Sequence, residues 1–135
     1  MKKKIFGFCL VFMMLSTALA FSQSKIVNRQ KMTCIEAIDN LNGISFQNRI
    51  GDVYLNEYDD NTFQISLYYR DGSPTEYMYF KNGRSLSSGR TYDASITTSE
   101  GQHFFNFTSN VSASGNYLNV YLYQSGRLCA SMTFR

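Results

Sequence analysis

From Ile44 to the C-terminus the chain alternates apolar and polar residues with a period of two, and turn sequences cut it at nearly regular intervals. A period of two sends successive side chains to opposite faces of a strand, so this stretch must form sheet, not helix. The turn signals are Asp59-Asp60-Asn61, Asp71-Gly72-Ser73-Pro74, Asn82-Gly83, Ser99-Glu100-Gly101 and Ser125-Gly126. Asn-Gly is the strongest hairpin signal among them. Between the turns, strands are predicted at 44–50, 53–58, 62–70, 75–81, 84–87, 91–98, 102–109, 116–124 and 127–134. Short connections force neighbours antiparallel, giving a meander of about eight or nine short strands that forms a curled sheet, small barrel or sandwich.

The alternation also defines faces. Phe63, Ile65, Leu67 and Tyr69 alternate with Gln64, Ser66, Tyr68 and Arg70, and Leu118, Val120 and Leu122 alternate with Tyr117, Asn119, Tyr121 and Tyr123. The first set of each is the expected core face. In the last strand Leu128, Ala130, Met132 and Phe134 are expected to point one way, with Cys129, Ser131 and Thr133 pointing the other.

Upstream the pattern changes. Thr33 and Glu36 have capping-box spacing, Ile35, Ile38 and Leu41 recur at three-residue steps, and Gly43 can end a helix. One short helix is therefore expected at about 34–42, packed on the sheet because two turns are marginal alone. Residues 21–32 show no sustained period and are expected to be a flexible tail before a single domain at 33–135.

The first twenty residues read as an export signal. Lys2, Lys3 and Lys4 precede the apolar run Ile5–Leu15, and Ala18-Leu19-Ala20 supplies a cleavage site with small residues at alternate positions. The run is shorter than the roughly 20 residues that span a bilayer. Cleavage after Ala20 implies a periplasmic or extracellular protein with no membrane insertion, and the style of the leader is bacterial. The whole chain carries 13 Lys and Arg against 10 Asp and Glu, and removing the three leader lysines leaves 10 against 10. A neutral domain lacks the basic footprint for nucleic acid.

Cys9 leaves with the leader, so Cys34 and Cys129 remain in a chain bound for an oxidising compartment. A disulfide between them would stabilise by roughly 4–5 kcal/mol in the chain-entropy model. Two separate buried thiols are the alternative.

Catalytic parts are few. His103 is the sole histidine, and alternation puts it on one face with Phe105 and Phe107, where a partly buried structural histidine is expected over a general base. No nucleophile elbow, phosphate-cradling loop or metal-spaced His or Cys pair is present, so no enzyme activity, cofactor or metal is implied. Asp52, Glu57, Asp59, Asp60 and Asn61 gather oxygens that could suit calcium or simply form a turn. Glu57 and Glu76 would serve glycoside hydrolysis only if opposed in space.

Tyrosine is the distinctive residue. All 10 follow the leader, and alternation turns Tyr54, Tyr58, Tyr68, Tyr77, Tyr79, Tyr117, Tyr121 and Tyr123 outward. Such rings stack on sugars or anchor a protein partner, and they also pair across strands without any ligand. The candidate binding residues are Tyr68, Tyr77, Tyr79, Tyr121 and Tyr123 with Arg84 and Arg90, for a protein or glycan partner. Two stretches of about six residues, Ser87–Tyr92 and Ser112–Tyr117, resemble the Ser-Gly-x-x-Tyr-type loop of small exported C-type lysozyme inhibitors. That resemblance implies a compact β-barrel with cysteines near its ends that inserts a loop into an enzyme cleft. A barrel holding a small ligand is the third expectation.

Overall fold

The computed structural model describes Ser24–Arg135; the expected leader, its cleavage after Ala20 and Cys9 lie outside the described residues. Ten strands form one antiparallel sheet. They are β1 (Ile26–Met32), β2 (Cys34–Asp39), β3 (Ile44–Ser45), β4 (Ile50–Tyr58), β5 (Phe63–Tyr69), β6 (Glu76–Leu86), β7 (Gly89–Thr98), β8 (His103–Ser114), β9 (Tyr117–Gln124) and β10 (Arg127–Phe134). The order across the sheet is β1-β4-β5-β6-β7-β8-β9-β10-β2-β3. From β4 to β10 every strand pairs with its successor, so the expected meander is present as seven strands, and β1, β2 and β3 bring the sheet to ten.

The ladder is not closed, and β1 and β3 are its edges. Thr33 alone separates β1 from β2, yet β1 pairs with β4 and β2 pairs with β10. One nearly continuous stretch therefore touches both flanks of the meander, which must curl to bring those flanks to it. Thr33 fixes the junction by exchanging backbone hydrogen bonds of 2.8 and 2.9 Å with Arg135.

The inside of the curl is the core. Ile65, Met78, Phe80, Val120, Met132 and Phe134 are sealed there, as the alternation of β5, β9 and β10 predicts. At one end Phe63 stacks on Phe80, with centroids 4.4 Å apart and planes at 9°. Tyr92 meets both rings edge-on, the offset and T-shaped geometries that ring quadrupoles favour.

Four expectations are corrected. No helix forms at 34–42: residues 34–39 are β2, with Cys34 and Ala37 buried. A two-turn helix would have satisfied only itself, whereas β2 also pairs the otherwise open edge of β10. Asp39 then caps the following turn, its carboxylate accepting from the backbone N–H groups of Leu41 and Asn42. The expected tail at 21–32 contains β1, whose backbone is ordered by β4 although six of its seven residues are exposed.

Asn82-Gly83 does not turn a hairpin. Lys81 opposes Asp93 and Arg84 opposes Thr91, so the dipeptide adds one extra residue to a single long β6, a bulge that Asn82 accommodates at φ 56°. The hairpin closes instead at Ser87-Ser88, between the paired Leu86 and Gly89. The predicted strands 75–81 and 84–87 are thus one element.

Cys34 and Cys129 are separate thiols. Cys34 opposes Phe134, while Cys129 sits beside Asn40 at the other end of the pairing. Five positions of strand, about 17 Å at the usual rise, exceed the Cα separation of about 4.4–6.8 Å that a disulfide needs. Burial pushes the Cys34 thiol up to about 11.

Candidate functional site

Cross-strand register builds the outer face of β4–β6. Lys31, Tyr54, Ser66, Tyr77, Thr97 and His103 fall opposite one another in a single row across six strands. In the neighbouring row Arg29 opposes Asn56, Asn56 opposes Gln64, Gln64 opposes Tyr79 and Tyr79 opposes Ser95. Apart from Lys31 beside Tyr54, the rings in these rows are flanked across the strands by short or amide side chains, leaving room for rings to lie along the surface. Rings two strands apart are spaced by about 9–10 Å.

Tyr68 joins this group by meeting Tyr54 edge-on, with centroids 5.9 Å apart, and the Arg29 guanidinium lies 4.6 Å from the Tyr54 ring centre. Partial burial, with Tyr68 and Tyr79 beside it, raises the pKa of the Tyr77 hydroxyl and keeps it neutral. The short residues between the rings are covered: Asn56, Gln64 and Ser66 are buried on what is nominally the solvent face. Asn56 Nδ2 donates to Gln64 Oε1 at 2.9 Å, leaving Asn56 Oδ1 buried without a partner among the described residues. Tyr68 and Tyr79 remain about 40% exposed.

The other predicted residues lie elsewhere. Tyr121 and Tyr123 line a cleft of about 240 Å³ with Ser88, Gly89, Arg90 and Ser112. Of the second loop segment singled out in the sequence, Ala113, Gly115, Asn116 and Tyr117 line a different recess, while Ser112, where it begins, meets Ser88–Arg90 of the first. Gly89 makes this possible, since a Cβ there, at φ 146°, would sit 2.4 Å from the Val111 carbonyl oxygen. Arg84 is engaged by Asp93 at 3.3 Å and by the Asn82 carbonyl oxygen at 3.1 Å, so it is not a free cation.

His103 is exposed, not partly buried, and does not share a face with Phe107. A register shift in β8 near Asn106, at φ 64°, leaves His103 and Phe105 stacked outside and turns Phe107 onto the core. Glu57 opposes Phe63 and Glu76 opposes Leu67. Four positions along β5 and two strand spacings across it put the backbones of these acids about 16 Å apart, beyond the spacing of up to about 9.5 Å used in glycoside hydrolysis. Each also has a partner, Asn28 for Glu57 and Tyr69 for Glu76.

Asp59 and Asp60 spend their oxygens on Lys25 N–H, Ser24 and Thr62. Among the described residues no three His, Cys, Asp or Glu side chains converge as metal ligands. Comparison of the chain with protein-family models, with curated proteins and with solved structures gives no match.

Sequence reasoning missed Arg29, which it placed in a tail, and the buried Asn56–Gln64–Ser66 group. Strand register was the missing information, because alternation names a face without saying which residues meet on it.

Proposed function

We propose that this protein is an exported, non-enzymatic binding module that engages a protein or glycan through the tyrosine rows on the outer face of β4–β6. The observation that carries this reading is the register: Tyr54, Tyr77 and His103 recur on alternate strands of one row, separated by Ser66 and Thr97. Rings that are half-buried at Tyr54 and Tyr77 and exposed at His103, at regular spacing, offer flat apolar area with tyrosine hydroxyls at its margin. This suits the face of a sugar or a protein surface at small cost in side-chain entropy.

The test is the double substitution Tyr77→Ala with Tyr79→Ala, assayed on a glycan array and against any partner retained by the wild-type protein. At least about a tenfold loss of affinity is expected, within the range of aromatic anchors, with the unfolding transition still cooperative. Unchanged affinity would remove the face from consideration.

A second reading, inhibition of a secreted enzyme, draws on the meeting of Ser88, Gly89 and Arg90 with Ser112 beside Tyr121 and Tyr123. It differs in that Ser88→Ala and Tyr121→Ala would weaken binding while Tyr77→Ala would not.

A further inference from the structure

A second recess lies between the β4–β5 turn and the bulge of β6, with a volume of about 670 Å³, inside the range of about 300–1,000 Å³ typical of small-ligand sites. Phe63 and Tyr92 supply its aromatic part, at 5.0 Å and nearly perpendicular. Glu57, Asp60 and Asn61 line it from the first turn, and Asn82, Gly83 and Arg90 from the other side.

The local backbone is arranged around this recess. Asn61 and Asn82 both hold positive φ, 65° and 56°, a conformation uncommon outside glycine that asparagine tolerates better than most residues. Gly83 is required by its neighbours: a Cβ there would lie 2.7 Å from Tyr92 Cε1 and 3.0 Å from Arg90 Nη2. The bulge thus lets the Tyr92 ring and the Arg90 guanidinium rest directly against main chain. The guanidinium carbon lies 5.9 Å from the ring centre.

Arg90 differs from two other arginines, Arg49 and Arg84. Arg49 is held by Asp71 and Ser73, and Arg84 by Asp93. Among the described residues Arg90 has no ion-pair or hydrogen-bond partner, although three lining residues across the recess are acidic or amide. A positioned fork of N–H donors selects a planar anion such as a carboxylate. Glu57 repels a bare anion but can accept from hydroxyls through Oε1, since Asn28 takes only Oε2, and the Asn61 amide can both donate and accept. One acidic group, several hydroxyls and a ring whose C–H face meets Phe63 and Tyr92 describe a single class of ligand.

We infer that this recess binds a carboxylated sugar, its carboxylate on Arg90 and its hydroxyls toward Glu57 and Asn61. The site is separate from the tyrosine rows, touching them only through Tyr58, which lines the recess beside Tyr79.

The experiment is an NMR titration with D-glucuronate, using D-glucose and acetate as probes that each carry half the chemistry. D-Glucuronate is expected to shift Tyr92 and Gly83 resonances and to bind at least about fivefold more tightly than either control. Arg90→Gln should weaken it by about tenfold or more, the scale of losing a charge-assisted pair, with Arg90→Lys intermediate. Arg90 is exposed, so both variants should fold, which an unchanged spectrum away from the recess would verify. Asn61→Gly keeps the backbone conformation while removing the amide, and should weaken binding severalfold. Tyr77→Ala should leave glucuronate binding intact, separating this site from the tyrosine rows. Three outcomes would each overturn the inference: no binding of glucuronate, binding no tighter than acetate or glucose, or equal affinity in Arg90→Gln.

Discussion

On β6, Met78 and Phe80 point into the curl at 2% and 0% exposure, while their neighbour Tyr79 points out and stays 40% exposed. Both faces of this strand are aromatic-rich, and hydrophobicity alone does not tell them apart. Partners do. Phe80 stacks on Phe63 and meets Tyr92, so its area is removed from water by other apolar groups. Tyr77 and Tyr79 lie opposite Ser66, Thr97, Gln64 and Ser95, which cannot enclose them. The inner rings are stability elements, whereas the outer rings are surface that a partner could still bury.

Phe80→Ala should break the inner face hardest. A fully buried phenylalanine replaced by alanine costs about 3–5 kcal/mol through lost transfer energy and the cavity left behind. Urea unfolding should show that loss, and a change below about 1 kcal/mol would mean that the Phe63–Phe80–Tyr92 cluster is not what holds this end together.

Gly83→Ala comes next, because it strikes the same cluster from outside. The added methyl must displace Tyr92 and Arg90, and overpacking of this kind costs about 1–3 kcal/mol. Its companion Gly83→Ala with Tyr92→Leu should recover part of the loss if the clash with the ring is the cause. No recovery would place the strain in the backbone instead.

Tyr79→Ala sharpens the comparison from the outer side. Cross-strand pairs contribute about 0.2–1 kcal/mol each, so this substitution should cost less than either change above. A cost as large as that of Phe80→Ala would show that Tyr79 seals Asn56 and Gln64 as tightly as the core is sealed, and would assign the outer rows a structural role.

Much of this contrast was legible in the alternation. Ile65, Leu67, Val120 and Leu122 were expected inside and are buried, and the last strand coincides with its predicted limits. Misreadings cluster where local signals had two solutions. Thr33–Glu36 satisfies a capping box but also fits a strand, and only the distant edge of β10 decides between them. Asn82-Gly83 can reverse a chain or bulge it, and the choice depends on β7 running alongside. His103 kept its alternation only up to Asn106, where one extra residue reverses which face follows. The recess beside Arg90 was less visible still. It joins residues from two turns and a bulge, and no spacing within one segment encodes that meeting.

The two thiols extend the inner–outer contrast to β2 and β10. Cys34 is inside and its pKa is pushed up to about 11 by burial, while Cys129 is half-exposed and donates to the Arg127 carbonyl oxygen. Thiolate is the reactive form, so alkylation near pH 8 should label Cys129 readily and Cys34 only after unfolding. An acid whose pKa is raised on folding stabilises the native state below its unfolded pKa, and that contribution fades as pH rises toward the folded value. Alkali should therefore weaken the protein between roughly pH 8.5 and 11, and Cys34→Ala should flatten that decline. A non-reduced protein with no alkylatable thiol would contradict the register of β2 on β10.

Acid should act on the opposite part of the molecule and with the smallest effect. Asp71 is held well below the usual carboxylate range by hydrogen bonds from Ser73 and Arg49, and Asp60 by those from Ser24 and Thr62. Asp93 is lowered by Asn82 and Arg84. All three sit in turns or on the outer surface, where water screens what they contribute. A carboxylate whose pKa is depressed on folding stabilises the native state above its unfolded pKa and loses that contribution as pH falls through the folded one. The thermal midpoint should therefore hold from neutrality to about pH 4 and decline gently below it, without the abrupt collapse expected if ionised groups held the core. Asp71→Asn should shallow that decline while leaving the midpoint at neutral pH only slightly lower. A steep loss beginning above about pH 5 would instead point to a charge whose ionisation the packed interior depends on, and would undo the division between an apolar inner face and a polar, replaceable outer one.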